Sequence, residues 1–419
     1  MLTRRLALAL AVALLARPRT AAAQFDGTQA LDTYGGPTIT NGRVVGLAGA
    51  YAGVAEGLAG VPSNPAAVAH RRRHLDRPWD LDGVLTWYLP PPGDVAGQDL
   101  DNDGRLDGGL AARSSAELGG GLQAGRLGAG ILARGWSTTA VHADGRRVQL
   151  DTADTWVALG WSGWQDSLVL GAAATTGRGT LTALAATGVV DARLRYSCER
   201  LRLGALWRPR GLPFRLGLAY DPGARARPDT DRAAFPVRTP AALVYPWSVS
   251  AGASAWLGAN ARRYNEPPPI ALAVHPEWGE GPDWEPAARR PVLVTAQVDV
   301  IGPVANAVGL ESTLVDGAPA LASGRRPSLA LRAGAEWEIL PDWIRVRGGS
   351  YVEPSRTGAA PRWHGTFGVE QRIPCWPWDV QLALGGDVAS RYRNVALSLG
   401  WWSDLGPVRA GADLTGGAR

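Results

Sequence analysis

Lysine is absent from this chain of 419 residues, so all 43 basic side chains are arginine. No Walker-type lysine can meet a nucleotide phosphate and no Schiff-base amine is available. Methionine occurs once, phenylalanine 4 times, histidine 5 times and cysteine 2 times. Cys198 and Cys375 lie far apart, offer no C-x-x-C, and leave one bridge or two free thiols equally open. The histidines (His70, His74, His142, His275, His364) fall at no ligand spacing, so zinc is not expected. No G-x-S-x-G occurs and no Ser-His-acid set follows from residue order, so no enzyme is expected. Charged residues are only 19 %, beside 54 glycines and 31 prolines, which argues against disorder and against one helical bundle.

Long apolar runs are missing as well. After residue 23 no eighteen-residue apolar stretch occurs, so no membrane-spanning helix is expected. Residues 1–23 read as a signal peptide: Arg4 and Arg5, an apolar run from Leu6 to Ala16 too short to span a bilayer, and Ala21-Ala22-Ala23 before Gln24. Arg4, Arg5, Arg17 and Arg19 all lie there, so removing that segment brings the formal charge of +5 near zero. Nucleic acid is therefore not an expected partner.

What the chain has is alternation. Leu329, Leu331, Ala333, Ala335, Trp337 and Ile339 interleave with Ala330, Arg332, Gly334, Glu336 and Glu338. Val292 to Val300 alternates against Thr295, Gln297 and Asp299; Ile344 and Val346 alternate with Arg345 and Arg347, and Phe367 and Val369 with Thr366 and Glu370. A period of two puts apolar side chains on one strand face and polar ones on the other. Soluble sandwich strands alternate too but average about five or six residues, whereas these segments approach the length of a tilted strand crossing a bilayer. The chain carries 18 Trp against 4 Phe, many at segment ends (Trp87, Trp136, Trp156, Trp207, Trp247, Trp343, Trp363, Trp401, Trp402), as an interfacial girdle would require.

Candidate strands fall near 82–89, 113–124, 127–138, 153–162, 167–176, 194–207, 214–221, 247–257, 291–301, 327–340, 343–353, 362–373, 378–388, 393–402 and 406–415. Single-chain bacterial barrels prefer an even count, so one segment of this odd set is misread or missed. In the first half tight connectors alternate with longer ones, while 258–290 is long where a turn is due and could hide a short strand at Ile270 to His275. Residues 24–77 read as a Gly/Ala-rich N-terminal piece and 78–419 as one closed sheet, which would leave no exposed edges.

Residues Gly42 to Ala69 read GRVVGLAGAYAGVAEGLAGVPSNPAAVA, suited to backbone packed in a confined space or to a small-residue linker, with turn chemistry at Asn64-Pro65-Ala66. The order Gly42, Gly46, Gly49, Ala50, Tyr51, then Asn64, Pro65, Ala66, Ala69 resembles the N-terminal hatch of the FadL/TodX-type outer-membrane transport family and its PorV-like relatives. Leu331 to Trp337 and Ile344 to Tyr351 are similar to the penultimate hairpins of PorV-like members. The resemblance covers roughly 45 residues well. It implies an all-β transmembrane antiparallel β-barrel of about 14 strands. It also implies an N-terminal hatch in the lumen and, in the FadL branch, passage of long-chain fatty acids or other hydrophobic molecules that leave through the wall. The chain departs from the pattern in carrying Val61-Pro62-Ser63 before Asn64 and in ending Gly416-Gly417-Ala418-Arg419 rather than on an aromatic.

One motif stands apart. Asp99, Asp101, Asp103 and Asp107 occupy positions 1, 3, 5 and 9 of a calcium loop, with Gly104 at the sharp turn and the Arg105 carbonyl at position 7, but position 12 is Leu110. A solvated Asx-turn loop is the alternative. Calcium is the one cofactor this spacing suggests, and it would brace an external loop. Arg71-Arg72-Arg73-His74 could meet anionic lipid or simply be solvated. Arg332, Arg345 and Arg347 should face the lumen, where polar side chains are the rule.

The expectation is a porin-like bacterial outer-membrane channel, in contact with outer-membrane lipid and admitting a hydrophobic small-molecule ligand, with Tyr51, Asn64, Pro65 and Ala66 at the hatch site. The alternative is a PorV-like scaffold partnering exported proteins or a secretion machine; a soluble exported β-protein is a third class. Transport predicts an apolar pocket near Tyr51 and Asn64-Pro65-Ala66 plus a gap in the wall, and the scaffold predicts neither.

Overall fold

The computed structural model describes residues 23–70, 79–89, 97–106, 108–258, 261–266, 292–340, 343–375 and 378–402. Residues 1–22 of the expected signal segment, Arg71 to His74, Asp107, the Ile270 to His275 segment and the segment 406–415 lie outside them.

Fourteen strands form the wall: β1 Trp79–Leu89, β2 Leu110–Ala124, β3 Leu127–Val141, β4 Arg147–Gly163, β5 Leu168–Leu184, β6 Val190–Trp207 and β7 Phe214–Asp221. They continue as β8 Ser248–Leu257, β9 Val292–Ile301, β10 Ser328–Leu340, β11 Ile344–Glu353, β12 Arg362–Cys375, β13 Trp378–Ala389 and β14 Tyr392–Trp402. Each pairs antiparallel with its neighbour in sequence, and β14 pairs with β1 from Val395↔Leu89 to Trp402↔Asp82. The ring therefore closes at an even count without 406–415. Tight turns such as Gly125-Arg126 mark one end and longer loops the other. β8 finishes and β9 starts at the tight-turn end, and most of the segment between them lies outside the described residues.

The wall inverts the polarity of a soluble protein. On β10, Leu331 and Trp337 are 48 % and 52 % exposed while Glu336 is 9 % exposed. On β9, Thr295, Gln297 and Asp299 are buried and Val298 is exposed. An apolar exterior over a charged interior is stable when lipid, not water, is the outer solvent. Trp79, Trp207 and Trp343 are exposed at the tight-turn end and Trp87 and Trp363 toward the other. Trp156 does not join the girdle: it is buried in the lumen beneath the Arg134 guanidinium, 4.9 Å from the ring centroid.

On β4 to β6 the polarity switches partway along. Nearer the tight-turn end Val157, Leu159 and Leu203 face out; nearer the long loops Arg147, Arg193 and Arg195 face out, and Val148, Leu150, Leu181, Leu194 and Tyr196 turn inward into one apolar cluster. These strands project past the apolar band, where water is again the outer solvent. Their inner cluster is completed by Leu31, Leu243 and Tyr245 from a small internal sheet. That sheet runs Ala224–Pro228, Leu243–Tyr245, Ala30–Asp32, Ala307–Val308, Ala322–Ser323 and fills the long-loop end of the lumen.

Residues 25–70 are threaded inside the ring. A short helix, Gly42–Gly46, is capped by the Asn41 side chain and packs on β12 to β14; a 3-10 turn, Pro65–Ala69, packs across the lumen on β4 to β6. Its backbone touches the wall because the wall is glycine at the contacts. A Cβ added at Gly128 would overlap Val68, at Gly171 Pro65 and Ala66, at Gly204 Asn64, at Gly217 Ala52, at Gly334 Leu47, and at Gly385 Gly42. Glycine here serves close approach of two backbones, not a special dihedral.

Candidate functional site

The inner segment is fastened to the wall by charge. Arg215 on β7 pairs with Glu56 at 2.8 Å, and Glu56 with Arg43 at 2.9 Å. Arg43 pairs with Glu336 on β10 at 2.8 Å, and Glu336 with Arg347 on β11 at 2.5 Å. Arg347 continues to Glu370 on β12, which pairs with Arg345, which reaches Glu338. Signs alternate along the whole path, so each buried charge has opposite partners, the condition under which ions tolerate burial. Arg332 likewise pairs with Asp299 at 2.6 Å and donates to Thr38 Oγ1 and the Ala48 carbonyl. The three arginines expected in the lumen do face it, each held by a carboxylate of the wall.

Tyr51 is 1 % exposed, within a cluster with Val44, Leu47, Val54, Tyr264 and Leu293. Its hydroxyl accepts from Arg43 and donates to the Glu56 carbonyl, and its N–H donates to Gln297 on β9. Asn64 is fully buried: Nδ2 donates to the carbonyls of Ala52 and of Ala205 on β6, each at 3.0 Å, and Oδ1 accepts from Ala66 N–H. That caps the 3-10 turn, whose first residue Pro65 has no N–H to satisfy. Tyr51, Asn64, Pro65 and Ala66 thus belong to one inner segment and anchor it on β9 and on β5 and β6.

An apolar hollow does lie at the Asn64-Pro65-Ala66 seat, but on the other side of the wall. It measures ≈ 730 Å³, and its outer rim is Leu127, Leu159, Trp161, Leu203, Leu218 and Tyr220. Its floor includes Gly160, Gly171 and Gly204, the residues whose inner faces receive Ala69, Ala66 and Asn64. Lipid, not the lumen, adjoins it.

The wall itself is interrupted once beside this seat. Leu203–Trp207 of β6 pair with Leu216–Tyr220 of β7, and Ser197 and Tyr196 pair with Arg227 and Pro228, but Cys198 to Arg202 have no ladder partner on that side. The chain leaves the ladder at Asp221-Pro222-Gly223, where the Gly223 N–H bonds back to Asp221 Oδ1, and crosses inward to pair with Leu243–Tyr245. Behind the interruption stand Arg200, bonded to Asp221 at 3.0 Å and Asp154 at 2.6 Å, and Arg202, which donates to the Pro62 carbonyl of the inner segment at 2.7 Å. Arg200 lies over the Tyr245 ring at 4.3 Å. Cys198 is a free thiol here.

At the long-loop end Asp99, Asp101 and Asp103 converge, one oxygen of each lying within 4.8 Å of the others. Burial pushes the Asp101 carboxyl up to about 7, with Asp103, Asp99 and Glu311 adding like charge. Leu110, at the twelfth loop position, is buried at the start of β2 and cannot ligate.

The wall glycines, Glu56, Arg215 and the break at Cys198 to Arg202 are not marked by any motif. Only the unusual frequency of glycine at inward positions of the strands could have pointed to the seat.

No protein-family model matches the chain, and no curated protein matches it. Solved barrels do. A TodX monoaromatic hydrocarbon channel deltaS2 mutant aligns over 91 % of this chain and 100 % of its own at 13 % identity, TM-score 0.44. CdiB from Acinetobacter baumannii aligns over 79 % and 61 % at 7 % identity, TM-score 0.39. The COG4313 outer membrane channel from Pseudomonas putida F1 aligns over 79 % and 97 % at 11 % identity, TM-score 0.33. Overlaps of this size leave the fold to rest on the chain's own closed ladder.

Proposed function

We propose that the protein is a non-enzymatic bacterial outer-membrane channel for hydrophobic small molecules such as long-chain fatty acids, with residues 42–70 as its hatch. The observation that carries this reading is the interruption between β6 and β7, at the edge of the apolar band and tied to the inner segment through Arg202 and Pro62. A hydrophobic molecule that leaves sideways avoids the charged lumen and partitions directly into lipid. The hatch motif resemblance supports the same substrate class. In this reading the described state is closed, and displacement of the inner segment opens it.

The test is extraction of the barrel from outer membranes in mild detergent, followed by mass spectrometry of bound small molecules. A near-stoichiometric hydrophobe that is lost in a Tyr51→Ala, Asn64→Ala variant supports the reading. An empty barrel carrying a co-purifying exported protein favours a second reading, the PorV-like scaffold. One observation favours that alternative: the lumen is filled at two levels, by residues 42–70 and by the internal sheet.

A further inference from the structure

We propose that the loop Asp99–Asp103 binds a calcium ion that ties together the loops closing the long-loop end of the barrel. Three carboxylates within 4.8 Å of one another concentrate negative charge that needs a counter-ion. The independent observation is Asp101 Oδ1, which is shut off from solvent and accepts no hydrogen bond. A buried, unpartnered carboxylate oxygen is costly unless a cation meets it. Among the described residues no arginine forms an ion pair with Asp101 or Asp103, and the Arg362 guanidinium stands 3.9 Å from Asp99. This contrasts with the lumen, where the buried carboxylates of the Arg215-to-Glu338 path are all met by arginine.

The ligand class follows from the donors. Carboxylate and carbonyl oxygens without nitrogen or sulfur select hard cations, and an irregular loop suits the flexible coordination of calcium better than the strict octahedron of magnesium. Asn102 with φ 53° and Gly104 with φ 88° turn the loop so that the three aspartates face one point.

The position of the loop gives the ion its consequence. Asp99 N–H donates to the Arg391 carbonyl in the β13–β14 turn, Asn102 Nδ2 to the Glu353 carbonyl at the end of β11, and Ser355 Oγ to the Asn102 carbonyl. Asp101 takes the backbone N–H of Glu311, in the connection between β9 and β10. One ion held by this loop therefore braces it against three other connections around the rim.

The experiment titrates calcium chloride, with magnesium chloride in parallel, into the full barrel in detergent by calorimetry. A second readout follows trypsin cleavage after the exposed Arg105. The expected result is one calcium per barrel with a dissociation constant of about 0.1–1 mM, as in extracellular modules. Asp101→Asn should weaken it about tenfold or more, and calcium should slow cleavage at Arg105. No calcium heat up to about 10 mM, or equal binding of magnesium, overturns the proposal. So does cleavage at Arg105 that is indifferent to calcium and chelator, a result that wild-type protein alone can give.

Discussion

Arg43 of the inner segment grips both carboxylate oxygens of Glu336 on β10, Nε to Oε2 at 2.8 Å and Nη2 to Oε1 at 2.9 Å. The same guanidinium reaches Glu56 through Nη1, and Glu56 in turn holds Arg215 on β7. One arginine thereby links the inner segment directly to β10 and, through Glu56, to β7. Replacing Glu336 by leucine leaves Glu56 as the remaining carboxylate partner of Arg43 and Glu370 as that of Arg347, and breaking a buried pair from one side costs about 3–5 kcal/mol. The variant should expose residues 42–70 to protease while the barrel keeps its heat-modifiable gel mobility. Arg43→Met with Glu336→Leu should restore much of the protection. Unchanged protease resistance in Glu336→Leu would mean that packing alone holds the segment.

Glycine at the seat makes a second, steric prediction. Gly217→Val drives a side chain into the Ala52 carbonyl, whereas Gly120→Val meets nothing within 4 Å. Gly217→Val should prevent the inner segment from docking, read as protease cleavage between 42 and 70. Gly120→Val should stay within about 0.5 kcal/mol of wild type, as surface changes do. Equal behaviour of the two variants would contradict the seat.

The lipid face can be separated from an ordinary exposed face by one substitution. Leu331 is 48 % exposed, so in water Leu331→Arg would be nearly neutral. In a bilayer the same change should cost about 2–4 kcal/mol if Leu331 lies near the midplane. Urea titration of folding into liposomes measures the difference, and a neutral result would remove the membrane assignment of β10.

Protons and calcium should compete at the long-loop end. Asp101 titrates at about 7 in the folded chain against 3.8 for the free group, so without a cation the folded state holds the extra proton between those values. Stability from this group is present below about pH 4 and is lost as pH rises toward 7, because the ionised carboxylate is buried among like charges with its Oδ1 unbonded. Added calcium should offset that loss, so the thermal shift it produces should grow from pH 5 to pH 7.5. A calcium shift independent of pH would contradict the competition.

Much of the wall is legible in the sequence because lipid on one side and a polar lumen on the other impose the same alternation over whole strands, as in Leu329 to Leu340. The expected segments 153–162, 167–176 and 194–207 fall short of β4, β5 and β6 for a physical reason. Past Thr152, Thr176 and Leu194 the apolar side chains sit inward and the polar ones outward, so the pattern that marks a lipid-facing strand reverses although the strand continues. Trp156 is misassigned to the girdle because residue type cannot separate a ring beneath Arg134 from one at the lipid surface. The inner segment is recognisable from its Gly/Ala order and Asn64-Pro65-Ala66. The charges that fasten it are not, because Glu56, Arg215 and Glu336 meet only after 280 residues of chain have closed into a ring.

The proposed gating of hydrophobic passage by residues 42–70 is tested most directly by a reversible lock. A Cβ built on Gly42 lies 3.3 Å from Ser398 Oγ on β14, close to the spacing of a disulfide. Gly42→Cys with Ser398→Cys, in a Cys198→Ser, Cys375→Ser background, ties the segment to the wall. Uptake of a labelled long-chain fatty acid by cells dependent on this barrel should cease when the pair is oxidised and return on reduction. Uptake that is the same in both states, with the disulfide verified by mass spectrometry, would contradict the gate.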